Sequence, residues 1–313
     1  MSENTFLANA RQGKNQWYYY IFTLLTVFFA WQVIGVLPLA AYTFIHTPQL
    51  AGELLQAEHP NVLQNALNAA MQTNTGLALT LLAFGFGLAA LFFCIQRIHG
   101  KKITATVTGR PRIDTGRILF GAGIWTLLSI ASFTLQLLCA EPTDLIFQFD
   151  PLNFFILLLI SITLLPVQTS FEELLFRGYL MQWFAYLLKR RWAAIVLTGV
   201  LFGLMHCANP ETGMGFWIVM PQYILMGLLL SYIAVQDNGM ELALGLHAAN
   251  NILAAITVTS DKSALQTHAL FRMLNPGTSH TETLMMLALA ILFIWICNRK
   301  YRFLPKRYFF LKS

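Results

Sequence analysis

The chain has 313 residues, 57% of them hydrophobic and only 11% charged, with a mean hydropathy of +0.59. A soluble domain is about a quarter charged because its surface must be wetted, so this composition excludes a water-soluble globular protein. The formal net charge of +6 is spread over the segments between apolar runs, which argues against a nucleic-acid partner and for contact with the lipid bilayer.

Apolar runs long enough to approach a membrane span, which needs about 20 residues, follow one another along the whole chain. One membrane domain over residues 1–313 is the expected organisation. The first run, Tyr18–Ile45, is too long for a signal-peptide core and reads as a retained span. The loop at 46–75 contains no Lys or Arg, only Glu53 and Glu58. Its weakly amphipathic stretch, with Val62, Leu63, Ala66, Leu67, Ala70 and Met71, predicts a helix lying on the bilayer or capping the bundle. Leu77–Ile98 and Ile118–Leu138 read as the second and third spans, separated by the basic segment Arg97–Arg117. An acidic loop with Glu141 and Asp144 follows.

The stretch at 152–188 has 37 residues. As one straight helix it would measure about 55 Å, against a hydrocarbon core of about 30 Å. Pro166 is therefore expected to kink or break it, with the half after Pro166 forming a second helix. Ala193–Met205, Phe216–Val235, Leu242–Val258 and Leu284–Cys297 complete the set. The tail at 299–313 mixes basic with aromatic residues, a composition suited to a headgroup layer.

Lys and Arg cluster at Arg11 and Lys14, at 97–117, at 189–191 and in the tail. The positive-inside rule places all four clusters in the cytoplasm. That requires 152–188 to cross once, and it gives about eight crossings with both termini cytoplasmic. The fold class is thus all-α, a polytopic transmembrane helix bundle. The short loops fit a bacterial inner (plasma) membrane.

The four cysteines, Cys94, Cys139, Cys207 and Cys297, show no CxxC spacing, so neither a disulfide framework nor a cysteine metal cluster is expected. Cys207 adjoins His206, but neighbours on a helix point about 100° apart.

Ionisable side chains inside apolar segments are costly and usually functional. Three sites stand out. In the run Glu172-Glu173-Leu174-Leu175-Phe176-Arg177, Glu173 and Arg177 are spaced i, i+4 with Glu first, the favourable order for a helical ion pair. Glu172 points elsewhere and has Phe176, not a cation, at i+4. It reads as a free carboxylate able to act as a general base. A surface salt bridge on an interfacial helix is the competing reading of this segment. The second site is His206, a helix-capping, core or catalytic histidine. His247 and Asn251, one turn apart on one helix face, form the third. They can orient a water or an oxyanion, or simply join two helices. Asn250 points about 100° off that face.

Together, a Glu-Glu-x-x-x-Arg helix, a Phe-x-x-x-His and a His-x-x-x-Asn in that order resemble the CAAX-protease and bacteriocin-processing (Abi) family, which includes the type II CAAX prenyl endopeptidases. The resemblance covers Leu152 to Ala255. It implies an intramembrane endopeptidase with a catalytic core at 152–255. Glu172 and His247 would activate a water, His206 and Asn251 would stabilise the oxyanion, and Glu173 and Arg177 would support them. The substrate would be a peptide or a membrane protein. A metal-free glutamate mechanism is favoured, since HExxH is absent. The alternative is an open zinc site on Glu172, His206 and His247. Two other functions compete: a non-catalytic immunity factor or regulatory scaffold of the same family, and a proton-coupled transporter. The latter class commonly shows internal repeats, and none is visible here. The four site residues are expected to converge on one water-accessible cavity, with the Glu172 carboxylate within about 8 Å of both imidazoles. The cytoplasmic side is the expected side of access.

Overall fold

The computed structural model describes residues 5–52, 62–139, 144–277 and 279–303. Glu53, Glu58, Glu141 and most of the aromatic-basic tail lie outside them. The short helix α1 (Thr5–Ala8) precedes α2 (Trp17–Phe29), which runs through a π turn at Ala30–Ile34 toward α3 (Leu37–His46). The amphipathic stretch forms α4 (Val62–Met71), which packs on α3 and on α5 (Asn74–Phe93) as a cap of the bundle. Next come α6 (Ile103–Val107) and α7 (Thr115–Cys139). Helix α8 (Pro151–Glu173) passes through a π segment, Leu174–Leu180, into α9 (Met181–Leu188). The remaining helices are α10 (Arg191–Leu204), α11 (Phe216–Gln236), α12 (Glu241–Thr257) and α13 (His280–Tyr301).

Six of these helical stretches are long and apolar enough to cross a membrane, and this is an integral membrane bundle. Their outward faces expose large apolar side chains at helical spacing, such as Leu152, Phe155, Leu159 and Ile162 on α8. Buried charges, Glu173, Arg177 and Glu241 among them, turn inward, as expected where the solvent is hydrocarbon.

Two expected spans are short. Helices α10 and α12 have 14 and 17 residues, about 21 and 26 Å at 1.5 Å per residue. Helix α12 lies in the core of the bundle, whereas α10 keeps an outer face with Trp192, Val196 and Leu204 exposed, and in both the chain leaves helical geometry before completing a core of about 30 Å. Segments that follow them, 205–215 and 258–277, fold back against the bundle instead.

Of the kink or break expected at Pro166, a break is not seen. Pro166 sits inside α8, and the helix continues past it to Glu173. The departure from α geometry begins about two turns later, in the π segment that carries Arg177. A π segment widens the helix and re-aims its side chains, and such segments often occur at functional sites.

Contacts sort the connecting segments into two ends. At one end Phe6 N donates to Asn238 Oδ1 (2.9 Å), Met240 N to Val107 O (2.9 Å) and Gln182 Nε2 to Ala105 O (2.9 Å). Arg110 pairs with Asp237 (3.2 Å) and Glu241 (3.1 Å), Arg117 reaches Asp237, and the Arg117 guanidinium lies 3.9 Å from the Tyr301 ring centre. The described parts of both termini meet the basic segments here. At the other end a three-stranded sheet, ordered β1-β3-β2, joins β1 (Leu145–Phe147), β2 (Val258–Thr259) and β3 (Phe271–Met273). β1 pairs antiparallel and β2 parallel with β3. Nothing in the apolar periodicity announced this sheet.

Candidate active site

The second half of α8 carries Gln168 and, one turn later, the adjacent Glu172 and Glu173. Glu173 and Arg177 are fully buried and joined by a 2.9 Å bond from Arg177 Nη1 to Glu173 Oε1. Arg177 also donates to the carbonyl of Gly227 on α11 (3.0 Å), and its guanidinium packs 4.4 Å from the ring centre of Phe202. A Cβ at Gly227 would collide with the carbonyl oxygen of Gly199. Only glycine there lets α10 and α11 approach closely enough to offer that carbonyl to Arg177. The surface-salt-bridge reading of this segment is therefore wrong.

Glu173 does more than neutralise Arg177. The same Oε1 accepts from His247 Nδ1 at 2.8 Å. A carboxylate oxygen only accepts, so Nδ1 carries the hydrogen and His247 Nε2 is left for other chemistry. That Nε2 lies 3.5 Å from Glu172 Oε2. Glu172 is not partnerless, because Gln168, one turn back, donates to its Oε1 at 2.5 Å. Its Oε2 has no hydrogen-bond donor among the described residues, and its side chain is 12% exposed.

Gln168 continues the network, because its Oε1 accepts from Asn251 Nδ2 at 3.0 Å. Asn251 Oδ1 in turn accepts from Asn250 (3.1 Å), whose own oxygen accepts from Trp125 Nε1 (3.1 Å). Asn250, placed off the His247 face by helix geometry, thus braces that face through its neighbour. Sequence reasoning missed Gln168 and Glu211. The i−4 spacing from Glu172 was a usable signal for Gln168, and none existed for Glu211.

His206 lies just past the end of α10. Its Nδ1 donates to the Phe202 carbonyl (2.9 Å), and its ring stacks on Tyr223 with centres 4.4 Å apart. Asn209 donates to the Tyr223 hydroxyl (3.0 Å), which donates to Glu211. Phe202 separates the two histidines, with ring centres 4.9 Å from His206 and 5.6 Å from His247. His206, His247 and Asn251 line one cavity of about 400 Å³, together with Glu211, Tyr223 and Glu282. Cys207 is exposed and outside that lining.

Among the described residues, no group of three or more His, Cys, Asp or Glu side chains is arranged to hold a metal ion. Glu172, His206 and His247 do not fit a shared zinc in this arrangement, although Glu173 supplies His247 with a carboxylate partner of the kind metal-bound histidines use.

The cavity opens at one end of the bundle. The cavity floor is the buried trio Phe202, Met226 and His247, and its exposed rim includes Gly277 and Glu282. Ser260, Ser263 and Met273 complete that wall. These residues belong to the sheet end, opposite the basic clusters. The short lengths of α10 and α12 are the reason, since both helices stop early at that end.

Residues 151–253 match the family described as type II CAAX prenyl endopeptidase Rce1-like. The uncharacterized protein YyaK of Bacillus subtilis (strain 168) is 27% identical over 261 residues, 83% of this chain and 84% of its own length. No solved structure matches the chain. The resemblance read from the motifs is borne out over residues 151–253, where the chain is similar to that family. The matched segment holds Glu172, Glu173, Arg177, His206, His247 and Asn251.

Proposed function

We propose that the chain is an intramembrane endopeptidase that hydrolyses a peptide bond with a water activated by Glu172 and His247. The observation that carries this reading is the pair of unoccupied acceptors, Glu172 Oε2 and His247 Nε2, 3.5 Å apart, with His247 in the lining of the cavity and the buried Glu172 oxygen behind it. One water about 2.8 Å from each can donate a hydrogen to both. Its oxygen lone pair then points away from them, toward a carbonyl carbon in the cavity.

In the reaction, Glu172 takes a proton as the water oxygen bonds to that carbon. The carbonyl oxygen becomes an oxyanion beside Asn251 and His206. The tetrahedral intermediate collapses as the proton passes to the leaving nitrogen, giving a carboxylate and an amine. Because Phe202 occupies Nδ1–H of His206, its Nε2 donates to an oxyanion only as an imidazolium. The oxyanion role therefore needs protonated His206.

Incubating membranes that carry the Glu172→Gln variant, then identifying retained peptides by mass spectrometry, tests the reading. Uncleaved substrate should accumulate on the variant and not on the wild type. A chelator should leave hydrolysis unchanged, and inhibition reversed by zinc would move the mechanism to the metal alternative. The substrate is a peptide or membrane protein, and the setting a bacterial inner membrane.

A further inference from the structure

The proposed hydrolase site is reached from the end of the bundle opposite the basic clusters. Of the 20 Lys and Arg residues in the sequence, only Lys262 and Arg272 fall in the connecting segments of that end. Arg272 is paired there with Asp261 at 2.5 Å. Such an asymmetry orients membrane proteins with the basic end in the cytoplasm. The cavity wall carries the carboxylates of Glu211 and Glu282 and no Lys or Arg. Glu211 accepts from Tyr223 and from Ala264 N (2.8 Å), and Glu282 from Gln222 (3.1 Å). All of these partners are formally neutral, and with His206 as the one imidazolium of the lining the two carboxylates still leave the wall net negative.

We infer that the site is served from the extracytoplasmic face, and that its substrate is an extracytoplasmic segment of a membrane-anchored or exported polypeptide bearing basic rather than acidic side chains. Its position supports this. A chain emerging at the outer surface meets the rim at Gly277 and Glu282 first and descends past Ser260 and Ser263 toward His247. A segment held in the cytoplasm would have to pass the packed end, where α1, the segment after α5 and the start of α12 are joined by hydrogen bonds and ion pairs. Opposite charge at the mouth raises the local concentration of a cationic chain and repels an anionic one.

The inference rests on the hydrolase reading for its substrate but not for its side of access, and the experiment separates the two. In a background without native cysteines, Gly277→Cys and Arg190→Cys are treated with a membrane-impermeant maleimide in spheroplasts and in inverted vesicles. A Cβ at Gly277 meets nothing within 4 Å, so the substitution fits, and Lys262→Cys on the same end is a second probe. Gly277→Cys should be labelled in spheroplasts and Arg190→Cys only in inverted vesicles. The reverse pattern overturns the side of access. Single-span reporters presenting one cleavable segment outward or inward form the second arm. Cleavage of the outward reporter alone, reduced when its lysines are changed to glutamates, supports the substrate class. Cleavage of the inward reporter, or indifference to the charge change, overturns it. If neither reporter is cut while Gly277→Cys is labelled from outside, the hydrolase reading falls and the outward-facing cavity stands.

Discussion

Glu173 and His247, 74 positions apart in the chain, are joined by a 2.8 Å hydrogen bond through the same oxygen that holds Arg177. This bond ties the ion pair on α8 to the histidine on α12. It fixes the imidazole tautomer and aims Nε2 at Glu172. The buried pair is therefore both a packing element and the support of the site.

Removing either member of that pair strands a charge with no exposure to solvent. Glu173→Ala or Arg177→Ala should cost about 3–5 kcal/mol, read as a lowered melting temperature in detergent. The double variant Glu173→Gln with Arg177→Met should cost less than the two single changes added together. Wild-type melting of both single variants would show that the pair does not support the fold.

Gln168 tests the network rather than the fold. Gln168→Leu removes the bond to Glu172 and the one that Asn251 makes. A hydrogen bond to a charged group contributes about 1.5–3 kcal/mol, so kcat should fall about 10- to 100-fold with little change in KM. Equal loss in kcat and in folded yield would assign Gln168 a structural role only.

Much of this arrangement was legible in the sequence, and its limits have physical causes. The Glu173–Arg177 pair follows from i, i+4 spacing, and His247 with Asn251 from a shared helix face. The Glu173–His247 bond is a tertiary contact that no local period encodes. The sheet at 145–147, 258–259 and 271–273 forms from polar connecting segments with no periodicity to read. The π segment at Leu174–Leu180 has no residue signature, whereas Pro166, which has one, leaves the helix unbroken. The place of the cavity mouth was not legible from helix lengths, because it is the early ends of α10 and α12 that open the cavity at the sheet end.

Gly227 is required by the approach of two helices. Gly227→Ala places a methyl against the Gly199 carbonyl and moves the oxygen that accepts from Arg177. A loss of about 1–3 kcal/mol is expected. Gly213→Ala, whose Cβ meets nothing within 4 Å, should leave melting unchanged. Equal behaviour of the two variants would refute the close-packing account.

Lys101 gives a pH signature at the basic end. It is 7% exposed and donates to Ala10 O at 3.2 Å, and burial pushes its ammonium down to about 8 from an ordinary 10.5. Between those values the unfolded chain holds this proton and the folded chain releases it. Stability should therefore rise with pH across that window and stay flat just below it. Melting curves of the wild type and of Lys101→Met check this, because the variant should lose the rise. A rise kept in the variant would assign it to another group.

The most direct measurement of the central claim is peptide hydrolysis by the purified protein in lipid, wild type against Glu172→Gln, with melting followed in parallel. The substitution keeps the size of the side chain and removes the base. A positioned general base contributes about 10²- to 10⁴-fold, so hydrolysis should fall by that order while the melting temperature stays within error of the wild type. Undiminished hydrolysis by a folded Glu172→Gln protein would contradict the account.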